Sequence, residues 1–217
     1  MNSNSIWDWD KAWEVLPDLL RGLVVTVEAT VIGMVIASIL GLFIALAMRT
    51  PTRWVRIPLK FVSDFIRMTP LLVQLVFVYL LSPPWVPVLF IGCTVLGIHY
   101  ATYMSEVYRA GIEAVPKGQW EAATALNMAK GRTWRAVILP QAIRNTLPGL
   151  GNYAISMFKE TPFLFAIGIV EMYTEAQSFG ANTFSYVEAL TMVGLLFLAV
   201  SYPTSLLVRR MEIRLAA

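Results

Sequence analysis

Five side chains capable of ionic or hydrogen-bonding chemistry interrupt otherwise apolar stretches of this chain: His99, Tyr103, Glu106, Lys159 and Glu160. Ionisable groups in such stretches are costly, and they usually face a bundle interior or a water-filled cavity. His99, Tyr103 and Glu106 follow one another at i, i+4 and i+7, which puts them on one face of a helix. Lys159 and Glu160 are adjacent and stand just before Pro162, whose missing N–H frees a backbone carbonyl. A solute with both charges could be held there, its cationic part by Glu106 or Glu160 and its carboxylate by Lys159. Equally, Lys159 could neutralise Glu106 or Glu160 in a structural ion pair. His99 also fits a satisfied interior polar residue. Glu28, Asp64, Arg67 and Glu188 lie nearer the ends of the apolar stretches and read as interfacial anchors. Pro70, Pro162 and Pro203 read as kinks rather than ligands.

Covalent chemistry is not expected from this set. His99 is the one histidine, and Cys93, the one cysteine, reads as a small apolar core residue with no possible disulfide within the chain. Metal ligation and a Ser-His-Asp arrangement are both disfavoured by those counts. There is no G-x-x-x-x-G-K-[ST] phosphate loop, nor any Gly-Lys dipeptide.

The elements that must position these groups are apolar helices. Hydrophobic residues make up 57% of the chain and charged residues 14%, against about 25% charged in soluble domains. A bilayer core about 30 Å thick needs roughly 20 apolar residues per helix. Runs at about 22–48, 61–81, 86–104, 153–170 and 187–208 qualify or nearly qualify, and helices satisfy their own backbone groups in lipid. No strand periodicity, internal repeat or low-complexity segment is visible. Asp8 and Asp10 stand where a signal peptide would be basic, so none is expected.

Charge sets the expected orientation. Arg49, Arg53, Arg56 and Lys60 follow the first run. Arg109, Lys117, Lys130, Arg132, Arg135 and Arg144 follow the third, and Arg209, Arg210 and Arg214 follow the fifth. The alternate connections, SPPWVP at 82–87 and the stretch 171–186, carry no Lys or Arg. The positive-inside rule therefore places the N-terminus outside and the C-terminus inside. The net charge of +3 is distributed for a membrane rather than for nucleic acid. An N-terminal arm over about 6–21 places Trp9, Trp13, Leu16 and Leu20 on one helical face and is expected to lie on the outer surface.

The segment between the third and fourth runs, about 110–150, is too long for a simple turn. Residues 118–126 (GQWEAATAL) form a helix pattern that Asn127 can end in a left-handed conformation. A second helix is expected over 132–139, with a break or kink at Pro140. Two short helices would make a compact knob on the inner face.

Glu121-Ala122-Ala123 followed by Ile138-Leu139-Pro140 resembles the EAA loop of importer permeases of the ATP-binding-cassette class. The family usually has glycine at the position of Asn127; both residues tolerate positive φ. Residues 65–74 (FIRMTPLLVQ), 100–111 (YATYMSEVYRAG) and 159–162 (KETP) are similar to further motifs of the polar-amino-acid uptake family. Residues 97–100 (GIHY), 157–162 (MFKETP) and 201–203 (SYP) look most like the permeases of ectoine/hydroxyectoine systems.

The resemblance covers nearly the whole chain and implies a single permease domain over 1–217. Its fold is all-α and integral to the membrane, with five transmembrane helices of the type I importer class. Glu121, Ala122, Ala123, Asn127, Leu139 and Pro140 would couple to an ATPase. His99, Tyr103, Glu106, Lys159 and Glu160 would line the solute path, at positions where the family commonly has asparagine instead of His99. Implied partners are a second permease subunit, identical or related, two ATPase subunits that bind ATP and Mg, an extracytoplasmic solute-binding protein and membrane lipid. No cofactor is expected in this chain, and the implied location is a bacterial inner membrane. The competing reading is an ion-coupled carrier or channel, which would commonly show paired repeats and broken helices in both halves.

Overall fold

In the computed structural model, residues 7–216 are described, and they form helices joined by short connections. α1 (Trp9–Met48) is followed by α2 (Arg53–Met68), α3 (Leu71–Leu81), α4 (Val88–Glu113), α5 (Lys117–Ala125) and α6 (Lys130–Thr133). A π-turn (Trp134–Ile138) leads into α7 (Leu139–Glu160), a 3-10 turn (Thr161–Ile167), α8 (Met172–Thr183) and α9 (Tyr186–Ala216). On length and composition α1, α4 and α9 can each cross a membrane. Two bent pairs raise the number to five if each is one span: α2 with α3, and the stretch Lys130–Ile167 with α8.

α1 is longer than the first run anticipated. Its 40 residues extend about 60 Å at 1.5 Å per residue, so the arm expected as a separate helix over about 6–21 is the first part of α1. Ile6 lies outside the described residues. The reason for continuity is a stripe of small or apolar residues that stays in phase: Ala12, Val15, Leu19, Gly22, Thr26, Ala29, Gly33, Ala37, Gly41 and Ala45 are all buried. Trp9, Trp13 and Leu20 are exposed on another face. Asp8 caps the helix by accepting from the Asp10 and Lys11 N–H groups. The Asp8 N–H donates to Glu188 Oε1 at 2.8 Å, so Glu188 ties the start of α1 to the first turn of α9.

The run 61–81 is not one straight helix. Thr69 is extended and Pro70 cannot donate, so α2 and α3 meet at 107°. α2 starts at Arg53 and therefore carries Arg53, Arg56 and Lys60, which were expected in a loop. α4 runs past 104 to Glu113, so the connection to the knob begins later than 110. α9 continues through Pro203 to include Arg209, Arg210 and Arg214.

The fourth run, 153–170, is divided. α7 begins at Leu139 inside the segment read as a loop and ends at Glu160, where Thr161 and Pro162 open the 3-10 turn. The turn ends at Gly168, whose φ of +80° requires glycine. The stretch 171–186, expected as an outer loop, contains α8. Glu171 starts it, fully buried, accepting from the Tyr173 N–H at 2.9 Å and the Thr174 N–H at 2.8 Å.

The knob also differs at Pro140. No break occurs there: the π-turn precedes it, and the Leu139 N–H reaches back to the Trp134 carbonyl. This wider turn brings the chain to Pro140 near the start of α7, where a missing N–H costs little. Asn127 ends the α5 region with a φ of +52°. Trp120 and Trp134 pack edge to face, ring centroids 5.3 Å apart, over buried Ile112, Val115, Ile138 and Ala142. The Arg49 guanidinium lies 5.3 Å from the centre of the Trp134 ring, joining the end of α1 to the knob.

Candidate functional site

Where α3, α4 and α7 meet, four aromatic rings and three hydrogen-bonding groups gather inside the apolar layer. α4 supplies His99, Tyr100 and Tyr103; their ring centroids are 5.4 Å apart for His99–Tyr103 and 6.1 Å for Tyr100–Tyr103. α7 adds Tyr153, 5.5 Å from Tyr103 and 6.1 Å from Tyr100. At the end of α7 the Tyr100 hydroxyl donates to Glu160 Oε2 at 2.8 Å. α3 supplies Gln74, whose Oε1 lies 3.0 Å from His99 Nδ1. His99 and Tyr100 are buried, while Tyr103, Tyr153 and Glu160 are partly buried.

This set is suited to binding a polar or cationic group. Tyrosine faces attract cations, and a carboxylate beside them strengthens that attraction in a low dielectric. Ionisable groups inside apolar helices are costly and need partners; Glu160, the half-buried last residue of α7, has the Tyr100 phenol as its hydrogen-bond donor.

Glu106 has a different environment. It is within 3.3 Å of Arg67 and 2.6 Å of Arg109; Arg109 in turn reaches Glu113 at 2.8 Å, and Arg67 reaches Asp64 at 2.5 Å. This ladder ties α2 to the last turns of α4. Arg67 bridges Asp64 on its own helix to Glu106 on α4. The Tyr103 hydroxyl makes a long contact of 3.5 Å with the Arg67 carbonyl, linking the ladder to the aromatic cluster.

Within the chain, Lys159 does not pair with Glu106 or Glu160. Lys159 is exposed and makes no ion pair among the described residues. Neighbours on a helix point about 100° apart, so Glu160 turns to Tyr100 while Lys159 turns away. Of the five candidates, the structure brings His99, Tyr103 and Glu160 into one cluster and leaves Glu106 and Lys159 outside it. Gln74, Tyr100, Tyr153 and Arg67 belong to these networks but were not singled out as site residues. Gln74 left a signal: it is an amide inside an otherwise apolar run just after a proline.

On the knob, Glu121, Ala122, Asn127, Leu139 and Pro140 are exposed, and Ala123 is buried against the hairpin. α5 thus offers one acid, Glu121, and two small alanines, Ala122 and Ala125, outward on a surface otherwise rich in Lys and Arg.

Comparison with known proteins gives this geometry a context. Residues 37–216 match the family described as binding-protein-dependent transport system inner membrane component. A probable amino-acid ABC transporter permease of Sinorhizobium fredii is 43% identical over 94% of this chain and 90% of its own length. The glutamine transport system permease of Escherichia coli is 32% identical over 96% of this chain and 98% of its own. Among solved structures, an amino acid ABC transporter crystallised with histidines superposes with a TM-score of 0.89 at 32% identity, covering 96% of this chain and 99% of that one. An inward-facing methionine ABC transporter shares the fold, with a TM-score of 0.72 at 16% identity over 94% of this chain and 99% of that one. A family match over most of the chain, with full-length relatives above 30% identity, places the chain in the family of binding-protein-dependent transport system inner membrane components.

Proposed function

We propose that this chain is the permease subunit of an ATP-driven importer for a polar amino acid, and that the cluster around His99, Tyr100, Tyr103, Tyr153 and Glu160 is part of its solute path. The observation that carries the reading is the half-buried Glu160 carboxylate hydrogen-bonded to buried Tyr100 beside buried His99, among apolar helices. The relatives named for a solute transport amino acids, among them arginine and glutamine. An ectoine-type solute rests only on short residue strings, so the amino-acid reading is preferred.

The chain spans a bacterial inner membrane five times, N-terminus outside and C-terminus inside. Its path is completed by a second permease subunit, identical or related. Lys159 and Glu106 contribute at the margins: Lys159, exposed and without an ion pair among the described residues, meets a solute carboxylate or the second subunit. A solute-binding protein delivers cargo from outside. Two ATPase subunits bind ATP and Mg beneath the membrane and engage the knob through Glu121, Ala122, Ala123, Asn127, Leu139 and Pro140. The outward-facing acid Glu121 pairs with a basic groove on the ATPase, and this chain itself needs no cofactor.

The test is Glu121→Lys in the reconstituted complex. Uptake should be lost and ATP hydrolysis should no longer follow solute, while membrane insertion is unchanged. Wild-type uptake by that variant would refute coupling at the knob.

A further inference from the structure

The break between α2 and α3 fixes more than a bend. In a continuous helix the Ile66 carbonyl would accept from residue 70, but that residue is proline and has no N–H. Two side chains supply donors in its place: the Thr69 hydroxyl, 3.2 Å from the Ile66 oxygen, and, closer, the Gln74 amide. Its Nε2 donates to the Ile66 carbonyl at 2.7 Å and lies 3.1 Å from the Thr69 carbonyl. Thr69 Oγ1, 2.6 Å away, is a further acceptor for it. Backbone carbonyls only accept, so the amide has one orientation: nitrogen toward the end of α2, oxygen toward α4.

That oxygen stands 3.0 Å from His99 Nδ1. An amide oxygen cannot donate, so the hydrogen in this contact belongs to Nδ1. A neutral imidazole then carries its lone pair on Nε2. The contact with Gln74 is the ring's one side-chain hydrogen bond among the described residues. The backbone of a proline break is thereby relayed, through one amide, into the tautomer of the one histidine in the chain.

We propose that Gln74 is a positioning residue: it holds His99 as the Nδ1–H tautomer, so that Nε2 meets the solute as a hydrogen-bond acceptor. The solute class taken at this point carries an N–H donor: an ammonium, guanidinium or amide group. This rests on the cluster being part of the solute path. Asparagine at 99 keeps one donor toward Gln74, its Nδ2, and one acceptor, its Oδ1, but that acceptor lies at the place of the ring's Cδ2, nearer the backbone than Nε2. Aspartate reproduces the acceptor but has no donor for Gln74.

The experiment uses the assembled complex labelled with ¹⁵N-histidine, with the His99 signals identified by difference against His99→Asn. Wild type should show a protonated Nδ1 and an unprotonated Nε2, and Gln74→Leu should lose that preference. In uptake assays with a radiolabelled amino-acid mixture, His99→Asn should lose less than His99→Asp, because it keeps the donor to Gln74. His99→Asp should fall about tenfold, the scale of one lost hydrogen bond. An Nε2–H tautomer or an imidazolium in wild type overturns the role of Gln74, as does an unchanged tautomer in Gln74→Leu. If Gln74→Leu fails to assemble, the wild-type spectrum and the Asn/Asp pair decide the matter. Uptake indifferent to both His99 variants overturns the solute contact itself, and the spectrum then reports the tautomer separately.

Discussion

α1 against α4 and α2 against α4 are both helix contacts within one membrane domain, yet they are built by opposite means. On α1, small residues repeat every three or four positions, and the two backbones approach until no side chain fits between them. A Cβ on Gly41 would stand 2.8 Å from the Met104 Cβ and 2.9 Å from the Ala101 carbonyl oxygen; one on Gly97 would stand 2.5 Å from Ile36 Cγ2. α2 has Ser63 as its one buried residue and leaves Trp54, Phe61 and Met68 largely exposed. Its ties to the rest are the Arg67–Glu106 pair and the Gln74 bridge across the proline break. Dry packing of small residues has one good arrangement. Polar ties can exchange partners at a cost of about 1 kcal/mol each. The difference makes α1–α4 a close-packed frame, with α3 joined to its core through Leu71 and Leu75, and leaves α2 held to it largely by polar ties.

The comparison can be broken most forcefully at the frame. Gly41→Leu should prevent a stable fold, since even a Cβ collides with backbone there; overpacking costs about 3 kcal/mol or more. Yield and the melting temperature of the solubilised complex measure it, and a wild-type Tm would dissolve the distinction. Arg67→Gln should have the next largest effect. It leaves Asp64 and part of Glu106 without a cation, at a cost of about 2 kcal/mol for charged hydrogen bonds in a partly buried place. Uptake should drop more than Tm does. Pro70→Ala restores an N–H that competes with Gln74 for the Ile66 carbonyl. The expected effect is about 1 kcal/mol toward a straighter α2–α3, read as a several-fold change in uptake at near-normal yield. Gly194→Ala is the smallest and has the opposite sign. Nothing lies within 4 Å of a Cβ there, so helix propensity should stabilise α9 by up to about 1 kcal/mol.

Much of this was legible in the sequence, because apolar runs long enough to cross a bilayer have few alternatives to helix. The left-handed turn at Asn127 and the cluster membership of His99 and Tyr103 follow from local residue type and spacing. The small-residue stripe of α1 was equally legible at i and i+4, but it hides inside a run that hydropathy alone already explains. α8 was not. Its sequence is nearly balanced between polar and apolar, and its start depends on Glu171, a carboxylate that looks solvated in one dimension and is buried in three. Nor was the direction of Lys159: adjacent to Glu160 in sequence, it is exposed, while Glu160 turns to the Tyr100 hydroxyl. The Gln74–Ile66 bond needs the 107° bend to exist before it can form.

The central claim is that a carboxylate held by a tyrosine inside the membrane layer receives the solute's cationic group. Glu160→Gln tests it most directly, because the amide oxygen still accepts from the Tyr100 hydroxyl and only the charge is removed. ATP-driven uptake of radiolabelled amino acids by the reconstituted complex should fall by tenfold or more, about 1.4 kcal/mol or greater, with assembly unchanged. Uptake at the wild-type rate would contradict the claim.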